Sequence, residues 1–238
     1  MPADPTLLQA KGISKRFGKN LVLQDASFSV RRAEVLGLIG PNGSGKTTLF
    51  ECLAGLIPVE SGSVEFRSRP LEPAHRKQVL FYLPDAIRPW ADQPVGWLLQ
   101  FFEALHGRPR GEGAALARTL KLNALLPSRV GALSKGELKR TLLALGLLTP
   151  QPLLLLDEPF DGLDFRQTRD VMHLLRTYPA KERTLFLSIH QLTDASRVCD
   201  RLVLLSKGRV VGEGTLEELR ARAGLSDGGL EEVFLALT

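Results

Sequence analysis

One eight-residue segment restricts the fold more than any other feature: Gly40-Pro41-Asn42-Gly43-Ser44-Gly45-Lys46-Thr47. It fits the pattern G-x-x-x-x-G-K-[ST] and stands between an apolar run, Val35–Ile39, and a helical pattern over residues 47–56. The glycines let successive backbone N–H groups curl around an anion, and the N-terminus of the following helix adds partial positive charge. The segment therefore predicts a strand, a phosphate-binding loop and a helix in succession.

The same motif assigns chemistry to three side chains. We expect the ammonium of Lys46 to reach the β- and γ-phosphates of a nucleotide, the hydroxyl of Thr47 to bind Mg²⁺ and Thr48 to add a phosphate contact. A glycine-rich turn that only caps a helix is the structural alternative. The strand and helix on either side of the motif favour phosphate binding.

A phosphate loop of this kind needs an acidic partner, and the chain has one after four leucines. Asp157 and Glu158 follow Leu153–Leu156, a run typical of a fully buried strand, and α/β sheets place their ligands at such strand ends. We predict that Asp157 is the carboxylate on the metal side. Glu158 is predicted to orient or deprotonate the water that attacks the γ-phosphate. Capping of a helix is the alternative role for this pair.

Elsewhere, apolar runs alternate with helical patterns, which is typical of an α/β fold with a mainly parallel sheet. Further strands are predicted at residues 7–10, 63–66, 79–83, 185–189 and 202–205, and further helices at residues 95–105, 114–126 and 137–148. Residues from about 85 to 149 contain three helical patterns without a convincing strand. We interpret this region as a helical insert in the core.

Composition narrows the class of protein. The chain has 238 residues, 44% of them hydrophobic, and is neither disordered nor collagen-like. Its two cysteines have no metal-type spacing, and its longest apolar runs are far below the roughly 18 residues of a membrane span. We therefore expect a cytosolic chain without disulfides that does not itself enter the membrane.

Charge is concentrated in one segment of the chain. The whole sequence carries +5, from 31 basic and 26 acidic residues. The basic stretch, His106 to Arg140, holds eight basic residues against two acidic ones. A solvated helical face is the ordinary explanation for such a run, and a surface beside anionic lipid is the functional alternative.

With these motifs in place, the chain resembles the ATP-binding subunit of ABC (ATP-binding cassette) transporters from about Leu7 to Leu219. Four more features match that family in order. They are Phe17, where the family has an aromatic that stacks on adenine; Leu133-Ser134-Lys135-Gly136-Glu137, at its LSGGQ-type segment; Phe160-Asp161-Gly162-Leu163-Asp164, the loop after the catalytic Glu; and His190, its switch histidine.

The resemblance implies a P-loop NTPase core of α/β class with a mainly parallel sheet, an antiparallel β subdomain near the N-terminus and the helical subdomain at about 85–149, all within one ABC ATPase domain over 1–238. It implies ATP and Mg²⁺ as ligands. Ser134 and Glu137 form a predicted capping box, so that Ser134 begins a helix whose N-terminus faces an anion.

In the family, that anion is the γ-phosphate held by a second subunit. The resemblance implies that Asp164 helps to couple the two sites of the resulting dimer. The resemblance therefore implies a second ATPase subunit, identical or paralogous, arranged head to tail with the first. It also implies a transmembrane permease partner, a peripheral position on the inner face of the cell membrane and no direct binding of nucleic acid.

Two departures from the family pattern concern the site itself. Asp85 stands where the family has a glutamine that touches Mg²⁺; an ionised carboxylate can ligate the metal but cannot donate a hydrogen bond. Lys135-Gly136-Glu137 replaces Gly-Gly-Gln, a variant familiar from export-type members. The prediction is an ATPase subunit of an exporter; the alternatives are a non-transport ABC ATPase acting on nucleic acid or the ribosome, a slow regulatory nucleotide-binding module, and a small-substrate kinase.

Overall fold

The structure, a computed structural model, describes residues 6–85, 87–178 and 183–238. Within these ranges, the strands are β1 (Thr6–Phe17), β2 (Asn20–Arg31), β3 (Val35–Ile39), β4 (Ser61–Phe66), β5 (Arg69–Pro70), β6 (Leu80–Leu83), β7 (Leu153–Asp157), β8 (Thr184–Ile189), β9 (Arg201–Ser206) and β10 (Arg209–Gly214). The α-helices are α1 (Lys46–Ala54), α2 (Arg76–Val79), α3 (Val95–Leu105), α4 (Glu112–Thr119), α5 (Lys135–Leu148), α6 (Phe165–Thr177), α7 (Leu192–Val198), α8 (Leu216–Ala223) and α9 (Leu230–Leu237).

The central sheet has six strands in the order β10-β9-β3-β8-β7-β6. Its neighbours pair in parallel, except for β10, which lies antiparallel to β9 at one edge. Strands β3, β7 and β8 are buried along their whole length, as their continuous apolar runs predict. The mainly parallel α/β sheet expected from the sequence is therefore confirmed.

Successive residues of the central strands enter two separate hydrophobic clusters, one on each face of the sheet. Leu153 and Leu155 pack with helix α1 and the N-terminal strands. Leu154 and Leu156 pack with the helices on the other face. Because side chains alternate along a strand, a run of leucines supplies both clusters at once. This double burial holds the carboxyl end of β7, which carries the acidic pair, in a rigid position.

A second sheet lies near the N-terminus. It has four strands in the order β2-β1-β4-β5, all antiparallel, and joins the cluster that includes helix α1. Backbone hydrogen bonds link it to the central sheet: the N–H of Gln24 donates to the carbonyl of Gly208 at 2.8 Å. This sheet confirms the antiparallel β region that the family resemblance implies.

Helices α3, α4 and α5 occupy the part of the chain between β6 and β7, where the helical insert is predicted. The expected helix over residues 114–126 was too long. Helix α4 ends at Thr119, because Lys121 takes a left-handed conformation with φ of 56°, and a short 3₁₀ turn follows at Asn123–Leu125. Among the described residues, no helix has both the length and the apolarity to cross a bilayer.

Part of the basic stretch makes contacts within the protein. Arg140 is buried and donates to the carbonyl of Leu120 at 2.7 Å, and Arg108 donates to the carbonyl of Leu148 at 2.9 Å. Lys121 forms a surface ion pair with Asp170. These three side chains are thus engaged by backbone carbonyls or a carboxylate, whereas others of the same stretch, such as Arg110 and Arg118, are exposed at the surface.

Within the described residues, seven strands and α-helices escaped the sequence patterns: β2, β5, β10, α2, α6, α7 and α8. β2 and β10 lie at the edges of their sheets and keep exposed or half-buried positions, which weakens their apolar signal. Helix α6 buries only four of its thirteen residues. Its start was nevertheless readable, because Asp164 and Gln167 form a capping box.

We predict that Phe186→Ala lowers the free energy of unfolding by about 3–5 kcal/mol, because it empties a fully buried site in the cluster beside α1. The Phe186 ring lies 4.9 Å from that of Phe50 and 5.4 Å from that of Phe28, measured between centroids. Urea unfolding measures the change. Phe165→Ala, at a side chain that is 75% exposed, is the matched control, with an expected change below about 0.5 kcal/mol. Equal effects of the two variants would contradict this account of the core.

Candidate nucleotide-binding site

The loop between β3 and α1 has the backbone shape that its glycines predict. Gly43 and Gly45 take left-handed conformations, with φ of 79° and 106°. A Cβ at Gly45 would lie 2.9 Å from Leu23, and one at Gly40 would lie 2.3 Å from the carbonyl oxygen of Leu205. Glycine is therefore required at Gly40 by close packing and at Gly45 by both packing and φ. The loop delivers the N-terminus of α1 to the carboxyl edge of the sheet.

The polar groups of this loop fit a phosphate chain. The hydroxyl of Ser44 is buried and has no hydrogen-bond partner in the described structure. The ammonium of Lys46 donates to the loop's own carbonyls, at 2.8 Å to Gly40 and 3.4 Å to Pro41. Buried polar groups normally have partners, so an unpaired hydroxyl beside a buried ammonium indicates a place for an anionic ligand.

Asp157 is the meeting point of side chains from three elements. Its Oδ2 accepts from the hydroxyl of Thr47 on α1 at 2.9 Å and from that of Tyr82 on β6 at 3.2 Å. Its Oδ1 accepts from the hydroxyl of Ser188 on β8 at 2.5 Å. Burial, and then the Asp157 charge, raises the pKa of Tyr82, so the phenol stays protonated as a donor.

The oxygen atoms of Thr47 and Asp157 are ligands of the hard type that Mg²⁺ prefers. No group of three or more His, Cys, Asp or Glu side chains gathers into a metal cage anywhere in residues 6–85, 87–178 and 183–238. Mg²⁺ suits such a site, because it keeps several waters and binds through one or two protein oxygens together with substrate phosphates. The residues present thus fit a magnesium ion bound together with a nucleotide.

Glu158 lies beside this group. One carboxylate oxygen, Oε2, is 2.5 Å from Nδ1 of His190, and the other, Oε1, is 3.6 Å from the ammonium of Lys46. The backbone of Glu158 has φ of 48°, which is uncommon for a residue with a side chain. Its N–H donates to the hydroxyl of Ser188 at 2.9 Å. The side chain is thereby directed at the phosphate loop.

An open cleft of about 350 Å³ lies over these residues. Most of the predicted phosphate and metal residues line it. Among the described residues, the lining consists of Val22, Asn42, Gly43, Gly45, Lys46, Thr47, Thr48, Asp85, Asp157 and Glu158. Asp85, predicted as a metal ligand, also pairs with the ammonium of Lys139 through Oδ1. One of its two carboxylate oxygens is therefore already engaged.

The LSGGQ-type segment lies apart from the cleft. Ser134 caps α5, with its N–H donating to Glu137 at 2.8 Å and the N–H of Glu137 donating back to its hydroxyl, so the predicted capping box is confirmed. A Cβ at Gly136 would lie 2.7 Å from the carbonyl of Gly162, so the segment packs on the loop after Glu158.

Lys135 and Asp161 join the two sides of this contact with an ion pair at 2.5 Å. Their hydrogen bond raises the pKa of Lys135 and lowers that of Asp161. Asp164, predicted to couple two sites, caps α6 in this structure. Phe17 ends β1 with a 51% exposed ring, and the ammonium of Lys15 lies 5.1 Å from the ring centre.

Three of the site residues described above escaped the sequence analysis: Tyr82, Ser188 and Lys139. Ser188 is the one polar position in the run Leu185–Ile189, and its strand register places it opposite Asp157. This single hydroxyl in an apolar strand was the sequence feature that could have identified Ser188 as a site residue. Lys139 donates to the carbonyl of Glu158 at 3.0 Å, although the two residues stand 19 positions apart. Because Lys139 is one of several cations in the basic stretch, its sequence position did not distinguish it as a site residue.

The fold and site define a nucleotide-binding P-loop protein of a particular class. Residues 23–161 match the ABC transporter family profile, and the chain belongs to this family. It is an ATP-binding subunit of the ABC type, a class that hydrolyses ATP in general.

Relatives and solved structures agree with this placement. An uncharacterised ABC transporter ATP-binding protein of Methanocaldococcus jannaschii is 32% identical, over 89% of this chain and 79% of that protein. A Nod factor export ATP-binding protein I of Burkholderia lata is 33% identical, over 90% of this chain and 72% of its own length. A solved ATP-binding subunit of an ABC transporter superposes with a TM-score of 0.88 at 30% identity, covering 98% of this chain and 99% of that one.

We predict that Ser188→Ala lowers the free energy of unfolding by about 1–3 kcal/mol, because it removes a donor to the buried Asp157 carboxylate and the acceptor of the Glu158 N–H. Chemical unfolding measures the loss. Ser196→Ala, which removes one exposed hydroxyl bonded to the carbonyl of Thr193, is the matched control and should have little effect. Equal stability of wild type and Ser188→Ala would show that these bonds contribute nothing.

Proposed function

We propose that this chain binds Mg-ATP in the cleft beside Asp157 and hydrolyses its γ-phosphate to drive a membrane transporter, in the direction of export. The main support for hydrolysis is the position of the Glu158 carboxylate between Lys46 and His190, directly beside the Thr47–Asp157 pair. A base, a cation and a metal-binding pair thus surround one open space.

In this mechanism the loop of residues 40–47 wraps the phosphates with backbone N–H groups, and Lys46 exchanges its loop carbonyls for the β- and γ-phosphate oxygens. Thr47 and Asp157 would hold the Mg²⁺ ion, with the carboxylate oxygen of Asp85 that does not pair with Lys139 as a further ligand. When bound, the ion draws negative charge from the phosphate oxygens. Thr48 contacts a phosphate.

Glu158 acts as the general base. Its carboxylate takes a proton from the attacking water, which raises the nucleophilicity of that water toward the γ-phosphate. His190 holds Oε2 through Nδ1 and, as in the related family, contacts the γ-phosphate with its ring. Phe17 presents an exposed ring on which adenine stacks.

A complete site takes two subunits. Ser134, Lys135, Gly136 and Glu137 lie outside the cleft that holds Lys46 and Glu158, so this capped helix start is available to a second chain. We place it over the γ-phosphate bound by an identical or paralogous subunit, with Asp164 at the junction. ATP would then favour the closed pair, and hydrolysis would reopen it.

The power stroke acts on a transmembrane permease. The relatives named for Nod factor export, and a Bacillus subtilis linearmycin resistance ATP-binding protein that is 27% identical over 96% of this chain and 78% of its own length, support an exporter. We treat 1–238 as one ATPase domain whose helical subdomain, at about 85–149, receives the permease on the cytoplasmic side. Stacked Trp97 and Phe101 on α3 are 45% and 39% exposed, as a docking face requires.

We expect Glu158→Gln to retain ATP but to lower the turnover number by about 10²–10⁴-fold, because the amide cannot accept the proton of the water. Lys46→Ala should instead lose ATP binding, because the ammonium that faces the β- and γ-phosphates is removed. Equilibrium ATP binding and steady-state phosphate release by the full chain measure both effects. Glu65→Gln, at a surface partner of Lys11, controls for the amide change and should behave as wild type. Unchanged phosphate release by Glu158→Gln would refute its role as base.

For the permease, we expect affinity purification of the tagged chain from detergent-solubilised native membranes to recover a polytopic membrane protein in fixed ratio, as mass spectrometry would show. An untagged strain is the control. Recovery of soluble or nucleic-acid partners alone, with the chain absent from the membrane fraction, would overturn the transporter assignment and favour a non-transport ATPase.

A further inference from the structure

Lys139 on α5 is a buried cation beside the site, and the mechanism above assigns it no task. Its side chain is only 6% exposed. The ammonium pairs with Asp85 and also donates to the backbone carbonyl of Glu158 at 3.0 Å. A buried ammonium is costly unless its hydrogen bonds are made, and here both partners belong to the candidate site.

The peptide groups around Glu158 are held from both sides. The N–H donates to Ser188, whereas the carbonyl accepts from Lys139 and from the N–H of Asp161 at 3.1 Å. These bonds maintain a left-handed backbone, with φ of 48°, that a glutamate seldom takes. The direction of the Cβ follows from that backbone, so the bonds determine where the carboxylate points.

We propose that Lys139 is a positioning residue for Glu158 and that Asp85 is the counter-ion that keeps Lys139 in place. The inference rests on the proposed function, because it assumes that Glu158 acts on the attacking water. Asp85 lies two residues after the end of β6 and precedes the helical segment that begins with α3. A movement of that segment would therefore reach Glu158 through the single side chain of Lys139.

An ion pair that merely supports the fold is the competing explanation, and two double variants separate it from positioning. Asp85→Asn/Lys139→Met, called the apolar pair for its methionine, removes both charges and the donor to Glu158, leaves no unpaired buried charge and keeps an oxygen at position 85. Asp85→Asn/Lys139→Gln also removes both charges but keeps an N–H donor at position 139. The two share Asn at position 85 and differ in whether the carbonyl of Glu158 can receive a hydrogen bond from α5.

We expect the apolar pair to lower kcat at least about tenfold, with the KM for ATP within about threefold of wild type, because a misdirected base slows chemistry without weakening binding. The amide pair should have a kcat at least about fivefold above the apolar pair. Steady-state phosphate release by the full chain over a range of ATP concentrations gives both constants. Chemical unfolding of each variant confirms that the fold is retained.

Lys121→Met is the matched control, since Lys121 also pairs with an aspartate, Asp170, but is 64% exposed at the surface. It should keep the wild-type kcat. Should the apolar pair fail to fold, Asp85→Asn/Lys139→Leu compared with Asp85→Asn/Lys139→Gln makes the same distinction.

A wild-type kcat in the apolar pair, or an equal loss in both pairs, would overturn the positioning role while leaving the proposed function intact. A KM that rises with kcat unchanged would do the same. Absence of phosphate release by the wild-type chain itself would overturn both proposals.

Discussion

The site is organised around one buried carboxylate, that of Asp157. The residue is 4% exposed, and the charge would be costly at that depth without donors. Hydroxyls from α1, β6 and β8 supply them. Each hydroxyl reaches Asp157 only if its own helix or strand has the right position relative to β7. The hydrogen bonds to this one carboxylate therefore fix how the phosphate loop and the neighbouring strands are placed.

Glu158 extends this arrangement into the open cleft. Ser188 bridges the two carboxylate residues, because its hydroxyl donates to Asp157 and accepts from the N–H of Glu158. Lys139 holds the opposite side of the same residue and ties it to Asp85. The acidic pair is therefore supported by the sheet on one side and by α5 on the other. Through Lys139, the helical segment contacts the residue proposed to act on the attacking water.

Much of this was accessible from the linear chain, because the informative patterns are local. The spacing of Gly40 to Thr47 specifies the loop, and the run of leucines before Asp157 specifies a buried strand that ends in an acid. Ser134 and Glu137 stand three residues apart, a spacing that predicts the start of a helix. Lys139 could not be assigned in this way: its partner Asp85 is 54 positions away, and in the sequence it is one cation among eight.

The sequence alone therefore specifies which groups are present and the local backbone that carries each of them, since turns, caps and strand alternation depend on near neighbours. It specifies the phosphate loop, the acidic pair and the α/β class. Packing in three dimensions settles the rest: that Ser188 stands opposite Asp157, that the LSGGQ-type segment lies outside the cleft, and that Lys139 reaches Glu158. Those relations depend on sheet register and on the burial of distant apolar faces against one another, which no short stretch of chain encodes.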